Sequence, residues 1–304
     1  MDNTILFGNG INRIAENSKS WDELLCGLTR PDQRPISGIP NTLQYEDLLL
    51  SDEKIDFMDP NLPMNKREEI LKDMICQEVR KANPTEIHKK LAEKDFDHYL
   101  TTNYDYCIDK SLEEAGYHKD SRKSCSVEYM HSLFRKRVFR NKYQEKTVWS
   151  IHGEAGKPAS IMLGFDHYCR YITKIDNYLR GEFSPKPGEE KYVSIRGNKM
   201  WPMRKRLKNH FAIFSWVDLF FVSNIHILGL GLDYIETDLW RVLNYRKRLM
   251  KETDLIRNSI VFHGNTTESH KLILQSLGVE VMEYPQDWTS MYQKMLKDCT
   301  GVMK

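Results

Sequence analysis

The chain has 304 residues, of which 40% are hydrophobic and 29% charged, with both signs interspersed. That balance is enough for a full core and excludes the disordered, collagen-like and disulfide-scaffold classes. Lys plus Arg number 45 against 43 Asp plus Glu, so the formal charge of +2 gives no global field for nucleic acid or an anionic membrane, and direct binding to either is not expected.

The opening residues, MDNTILFGNG, hold a short apolar run without a basic segment before it, which is neither a secretory signal nor a membrane span. The six cysteines, Cys26, Cys76, Cys107, Cys125, Cys169 and Cys299, never fall at C-x-x-C spacing. A reducing cytoplasm is expected, and no metal site is, because structural zinc sites usually draw two ligands from one tight turn.

In chain order, the first predicted strand is Thr4 to Phe7. Gly8-Asn9-Gly10-Ile11-Asn12-Arg13 follows it, a turn whose glycines let backbone amides approach a pyrophosphate. Arg13 stands where the dinucleotide fingerprint has its third glycine, and no acid at the end of a second strand lies about twenty residues on. Residues 41–94 carry no strand signal. Ile70, Leu71, Met74, Ile75 and Val79 mark an amphipathic helix, and Asn83, Pro84 and Glu86 predict the cap, first position and capping-box acid of another. This stretch reads as a helical insertion.

Strands are next expected at Phe96 to Thr101 and Thr147 to Ile151. Their ends carry Thr101-Thr102-Asn103-Tyr104-Asp105 and Ser150-Ile151-His152-Gly153-Glu154. Polar side chains at strand ends line the binding rim of an open α/β sheet. His152 suits a general base at neutral pH, and Asn103, which does not titrate, suits orienting a water or a ribose hydroxyl. Residues 165–216 form a second interruption, with Pro185, Pro187, Gly188 and Gly197 marking loops.

A strand at Ile225 to Leu228 leads into Gly229-Leu230-Gly231, then a helix whose first-turn acids, Glu236 and Asp238, complement its dipole. Ser259 to His263 and Val279 to Tyr284 are the last strands, and Trp288, Met291, Tyr292 and Met295 recur with helical period. Alternating strands and helices predict an α/β fold, a Rossmann-like doubly wound parallel sheet whose helical insertions form a second, smaller domain. Two basic stretches, Arg135 to Arg140 and Arg204 to Lys208, read as solvated helical faces, with a partner or nucleic-acid surface as the alternative. H-E-x-x-H, G-x-S-x-G and the kinase signatures are absent from the sequence, so those hydrolase and kinase chemistries lack their parts.

The T-x-N-x-D of Thr101, Asn103 and Asp105, the Ala115-Gly116 that follows, and the His152-Gly153 dipeptide resemble the sirtuin pattern in order and strand context. Sirtuin deacylases carry a four-cysteine zinc module after the H-G motif, where this chain has only Cys169. With T-T-N-Y-D, the G-x-G-x-N of Gly8 to Asn12 and the D-L-W of Asp238 to Trp240, it looks instead like the zinc-free bacterial sirtuin-like NADases of antiphage defence.

The resemblance implies an enzyme that hydrolyses NAD, its substrate, to nicotinamide and ADP-ribose, with no metal. It assigns catalysis to Asn103 and His152 and gives Asp105 the nicotinamide carboxamide. NAD binding would fall to Gly8, Asn9, Gly10, Asn12, Thr101, Gly229, Gly231, His263, Asn265 and Thr266. It also implies gating by a homo-oligomer or by a HerA-type ATPase partner, and cell defence by NAD depletion. Two alternatives remain open at this level: an NAD-dependent deacylase or ADP-ribosyltransferase, and a non-enzymatic sensor of NAD or an ADP-ribose derivative.

Overall fold

The computed structural model describes residues 2–15, 18–30, 32, 38–51, 53–55, 58–59, 61–186, 189, 201–209, 212–284 and 288–299. The loop markers Pro187, Gly188 and Gly197 lie outside them.

Among the described residues eight strands form one sheet: β1 (Asn3–Phe7), β2 (His98–Thr101), β3 (His118–Lys119), β4 (Lys136–Arg140), β5 (Glu145–Ser150), β6 (Asn224–Leu228), β7 (Ile260–His263) and β8 (Glu280–Met282). Their order is β3-β4-β5-β2-β1-β6-β7-β8. The strands from β5 to β8 pair in parallel, and β3 and β4 extend the β5 edge antiparallel. Taken in chain order the parallel strands stand third, second, first, fourth, fifth, sixth, which is the order of a dinucleotide-binding doubly wound sheet. The central strands are short apolar runs, Ile5 and Leu6 in β1 and Ile225 and Ile227 in β6 being fully buried, because both faces of a parallel sheet are covered by helices.

The register aligns the strand ends. Phe7 pairs with Thr101 on one side and Leu228 on the other; Thr101 pairs with Ser150, and Leu228 with His263. The loops after β5, β2, β1, β6 and β7 therefore leave the sheet side by side, and the order in which strands are added reverses between β1 and β6. That switch point opens a crevice at the carboxyl edge of the sheet.

One face is covered by α6 (Phe165–Arg180), α8 (Trp216–Val222) and α9 (Thr237–Glu252), whose Tyr171, Ile175, Phe220, Val242 and Leu243 are fully buried. The other carries α4 (Glu86–Glu93), α5 (Cys107–Glu114) and α11 (Trp288–Asp298). Each fully buried Leu, Ile or Phe contributes roughly 1.5–3 kcal/mol to this core. The helices α1 (Trp21–Cys26), α2 (Asn41–Leu50) and α3 (Met64–Val79) gather Leu25, Leu48, Leu71 and Ile75 into a separate cluster, joined by Tyr104, Ile161 and Leu163 from the sheet side.

Three expectations change. α4 is capped by Thr85, two residues after Asn83, with the Thr85 N–H donating to His88 Nδ1 at 3.1 Å. The basic stretch from Arg135 is not a helical face but β4, and Arg135 and Arg137 are buried. Arg137 donates to the Asp109 carboxylate and, at 3.0 Å, to Glu154, so the charge buried within this strand is satisfied inside the core. In the second stretch, in and beside α7 (Met203–Lys208), Arg206 is likewise buried, bonded to Asp218 at 2.8 Å. No helix of the described residues is long and apolar enough to cross a membrane.

Candidate active site

The two glycine turns meet at the switch point. The Gly10 N–H donates to the Gly229 carbonyl at 2.8 Å, and a Cβ on Gly10 would sit 2.6 Å from that oxygen. Gly229 has φ +61°, and a Cβ there would lie 2.7 Å from Ile11 Cγ2. Only glycine at both positions lets the loops close on each other. The first turn continues as a single 3-10 turn, Asn9–Ile11, rather than a long helix. Its Asn12 Nδ2 donates to Asn9 Oδ1 at 3.0 Å and to Asp105 Oδ2 at 2.9 Å. Asp105 Oδ1 accepts the Cys107 N–H at 2.8 Å, at the start of α5. A chain of polar contacts thus ties the first glycine turn to the end of β2.

A cavity of about 650 Å³ opens over these loops. Its floor holds Gly10, Asn103, His152, Gly229 and Gly231; its roof is Trp21 and Leu25 of α1 with Asn41, Thr42 and Tyr45 of α2, and Met291, Tyr292 and Met295 of α11 close one side. A second hollow of about 940 Å³ adjoins it, lined by Asn12 and Asp105; Asn9, Trp21, Asn103 and Tyr104 belong to both.

His152 is 2% exposed and Asp238 fully buried. His152 Nε2 lies 2.8 Å from Asp238 Oδ2, its Nδ1 lies 3.3 Å from the Tyr168 hydroxyl, and Glu236 Oε2 is 3.9 Å from Nε2. Burial pulls the imidazole down, but the charge and hydrogen bond of Asp238, with Glu236 beyond, hold it above its ordinary value. Burial pushes the Glu236 carboxyl up to about 7, against the pull of His152 and with the help of Asp238 and Asp233. Gly153, with φ +111°, turns the chain sharply after His152; a Cβ there would strike the Ser160 carbonyl at 2.4 Å. Asn103, 8% exposed, uses its backbone N–H on Thr101 Oγ1 at 3.0 Å, while its Nδ2 is buried without a partner. An imidazole held by a carboxylate and a free amide donor on one floor can take a proton and orient a water molecule.

The structure thus brings Asn9, Gly10, Asn103, His152, Gly229, Gly231, His263 and Asn265 to the cavity, with Asn12 and Asp105 in the adjoining hollow. Gly8, Thr101 and Thr266 line neither, and Thr101 acts there through the Asn103 N–H that its Oγ1 accepts. Asn265 clamps Tyr284, its Nδ2 donating to the Tyr284 carbonyl at 2.7 Å and its Oδ1 accepting the Tyr284 N–H at 2.8 Å. Thr266 Oγ1 lies 2.7 Å from His270 Nδ1. The His263 side chain is buried against His226 and Tyr284. Asp238 does more than complement the α9 dipole, and it was not legible as a partner of His152 because 86 residues separate them. Tyr168, in the second interruption, and Tyr45, in the first, gave no sequence signal for the site.

Residues 97–197 match the SIR2-like domain family. Over 102 residues the chain is 35% identical to the NAD(+) hydrolase ThsA of Bacillus cereus (strain MSX-D12), a match covering 33% of this chain and 19% of that protein. The chain thus spans about a fifth of the length of the curated relative it matches. The family match contains β2, β5, Asn103, Asp105 and His152, the polar half of the cavity floor. Over that segment the chain is similar to a SIR2-like domain.

Proposed function

We propose that the chain is an NAD glycohydrolase that splits NAD into nicotinamide and ADP-ribose. One observation carries this reading: at the switch point of a dinucleotide-type sheet, a buried imidazole held by a carboxylate shares a cavity floor with a buried, unpartnered amide. Phosphate and adenine recognition need neither group. The SIR2-like match over residues 97–197, which bears both residues, and the 35% identity over 102 residues to an NAD(+) hydrolase support the same chemistry.

Nicotinamide in NAD is a pyridinium, so the ribose–nitrogen bond breaks with its electron pair going to the ring nitrogen, and nicotinamide leaves neutral. Positive charge develops on the ribose, and water completes the substitution. Asn103 Nδ2 orients that water. His152 accepts its proton at Nδ1, since Nε2 is engaged by Asp238, and the carboxylate stabilises the imidazolium that forms. Asp105, in the adjoining hollow, takes the nicotinamide carboxamide. The roof from α1 and α2 keeps bulk water from the cleaving bond.

Unrestrained NAD hydrolysis would exhaust its own cell, so the activity is gated in the cytoplasm by self-assembly or by a HerA-type ATPase, and is released in antiphage defence to deplete NAD. The test is to incubate the protein with NAD beside Asn103→Ala and separate the products by chromatography. Nicotinamide released by the wild type alone, without an acylated peptide, supports the hydrolase. Release that requires such a peptide points to a deacylase. Intact NAD with both proteins, across a concentration series and with the ATPase added, overturns the proposal.

A further inference from the structure

At the edge of the cavity, where His263 borders it, lies a group of buried donors to which the proposed cleavage gives no role. His226 stands within β6 and His263 ends β7. In the parallel ladder His226 pairs with Val261, and alternation along a strand turns residues two apart to the same face. Both imidazoles therefore point to one side of the sheet, and Cys299, just past α11, meets them there. His226 Nδ1 lies 2.8 Å from His263 Nε2, and Cys299 Sγ lies 3.5 Å from the same nitrogen. All three donor atoms fall within 4.8 Å of one another, and each residue is buried. His263 Nδ1, on the other side of its ring, meets the Tyr284 hydroxyl at 2.6 Å.

We propose that His226, His263 and Cys299 bind a zinc ion that fastens the end of α11 to the sheet. Two imidazoles and a thiolate are a donor set of the softness zinc prefers. On a tetrahedral ion with the usual bond lengths, a nitrogen and a sulfur lie about 3.6 Å apart and two nitrogens about 3.3 Å apart. The spacing between Cys299 and His263 already meets the first value. The two rings part by about half an ångström as the ion replaces the hydrogen bond between them.

His263 binds through Nε2 and keeps its proton on Nδ1, donated to the Tyr284 oxygen, the outer contact that orients a ligating histidine. His226 binds through Nδ1 with its proton on Nε2. The Cys299 thiol releases one proton to solvent. Three protein donors leave a fourth position for water. Because Met291, Tyr292 and Met295 of α11 wall the cavity, the ion would also fix one side of it.

The chelator-treated full chain is titrated with Co²⁺ and followed by absorption, a readout separate from NAD hydrolysis, so either proposal can fail alone. The expected result is one Co²⁺ per chain with a thiolate charge-transfer band in the near ultraviolet, reversed by Zn²⁺. Cys299→Ser loses that band. Tyr284→Phe, which leaves all three donors in place, keeps it with affinity about 10-fold weaker. Cys169→Ser, at an exposed thiol, changes nothing. Absence of a thiolate band in the wild type at one equivalent overturns the proposal. So does a band that survives in folded Cys299→Ser, which would put the ion on another cysteine such as Cys107 beside His88 and Asp105.

Discussion

Asp238 Oδ2 and His152 Nε2 stand 2.8 Å apart, the aspartate fully buried and the histidine nearly so at the cavity floor. β5 delivers the histidine and the first turn of α9 the aspartate, so the contact joins the two halves of the sheet across its switch point. It fixes the ring's orientation and leaves Nδ1, near the Tyr168 hydroxyl, as the nitrogen able to accept a proton.

Asp238→Asn removes the charge and keeps the shape. By the logic of a carboxylate-oriented histidine, kcat for NAD cleavage falls by about 10²- to 10⁴-fold. The pH profile is the more specific test. His152 is held above its ordinary value of 6.5, and a base works when deprotonated, so wild-type activity rises with pH through a limb above 6.5. Without the Asp238 charge, burial dominates and the limb moves below 6.5. The stability term runs the other way: the pair stabilises the fold most below the unfolded histidine value, and that contribution is lost as pH rises through the folded one. A pH profile of nicotinamide release that is the same in both proteins would refute the pairing's role.

Asn103→Ala separates chemistry from folding. Asn103 Nδ2 has no partner in the free protein, so its loss leaves no broken bond behind. The melting temperature stays within about 2 °C of wild type, a change of under roughly 1 kcal/mol, while turnover drops about 10²- to 10³-fold, as for loss of one aimed donor. A large fall in melting temperature would instead make Asn103 a structural residue.

The parallel sheet was legible because each of its strands is a short apolar run closed by glycine or polar residues. β4 was not: KRVFR sets three basic residues around Val138 and Phe139, and charge read without its partners suggests a surface. Only the fold brings Asp109 and Glu154 to Arg137. Asn103 and His152 were legible because strand ends advertise the rim. Asp238 was hidden because an acid in a first helical turn already has a local reason to be there, and Glu236 for the same reason. His263 was assigned a ligand role from its strand end, and it does border the cavity; that its ring also stands beside His226 depends on strand parity, which the sequence did not set.

Gly229 and Gly231 both line the cavity but differ in what an added methyl meets. At Gly229 the backbone is left-handed and Ile11 Cγ2 lies 2.7 Å away; at Gly231 the nearest atom is Asp233 Oδ1 at 3.6 Å. Gly229→Ala is expected to lose about 1–3 kcal/mol through strain and overpacking, and the contact with the Gly8 to Gly10 turn with it. Gly231→Ala folds like wild type, with any defect confined to NAD affinity. Thermal melts with and without NAD distinguish the two, and equal destabilisation would show that the loops do not meet as described.

Glu68, on α3, links the helical cluster that includes the roof to the helix over the site. Its Oε1 accepts from His167 Nε2 at 2.7 Å and from Lys72 Nζ at 2.8 Å, joining α3 to α6 one residue before Tyr168. His167 Nδ1 accepts the Leu163 and Gly164 N–H groups at 3.0 and 2.9 Å, so the ring proton sits on Nε2 and is donated to Glu68. The His167 hydrogen bond, opposed by burial and helped by Lys72, holds the Glu68 carboxyl down at about 2 against an ordinary 4.5. A depressed acid stabilises the fold above its unfolded value and loses that contribution as pH falls through the folded one. Because Glu68 is partly open to solvent, screening reduces the effect to about 1 kcal/mol. Glu68→Gln should therefore be less stable than wild type in urea at pH 7, and the gap should narrow between pH 4.5 and 2. A gap that stays constant over that range would mean that Glu68 acts through packing rather than charge, and that the roof is not tied to α6 by this pair.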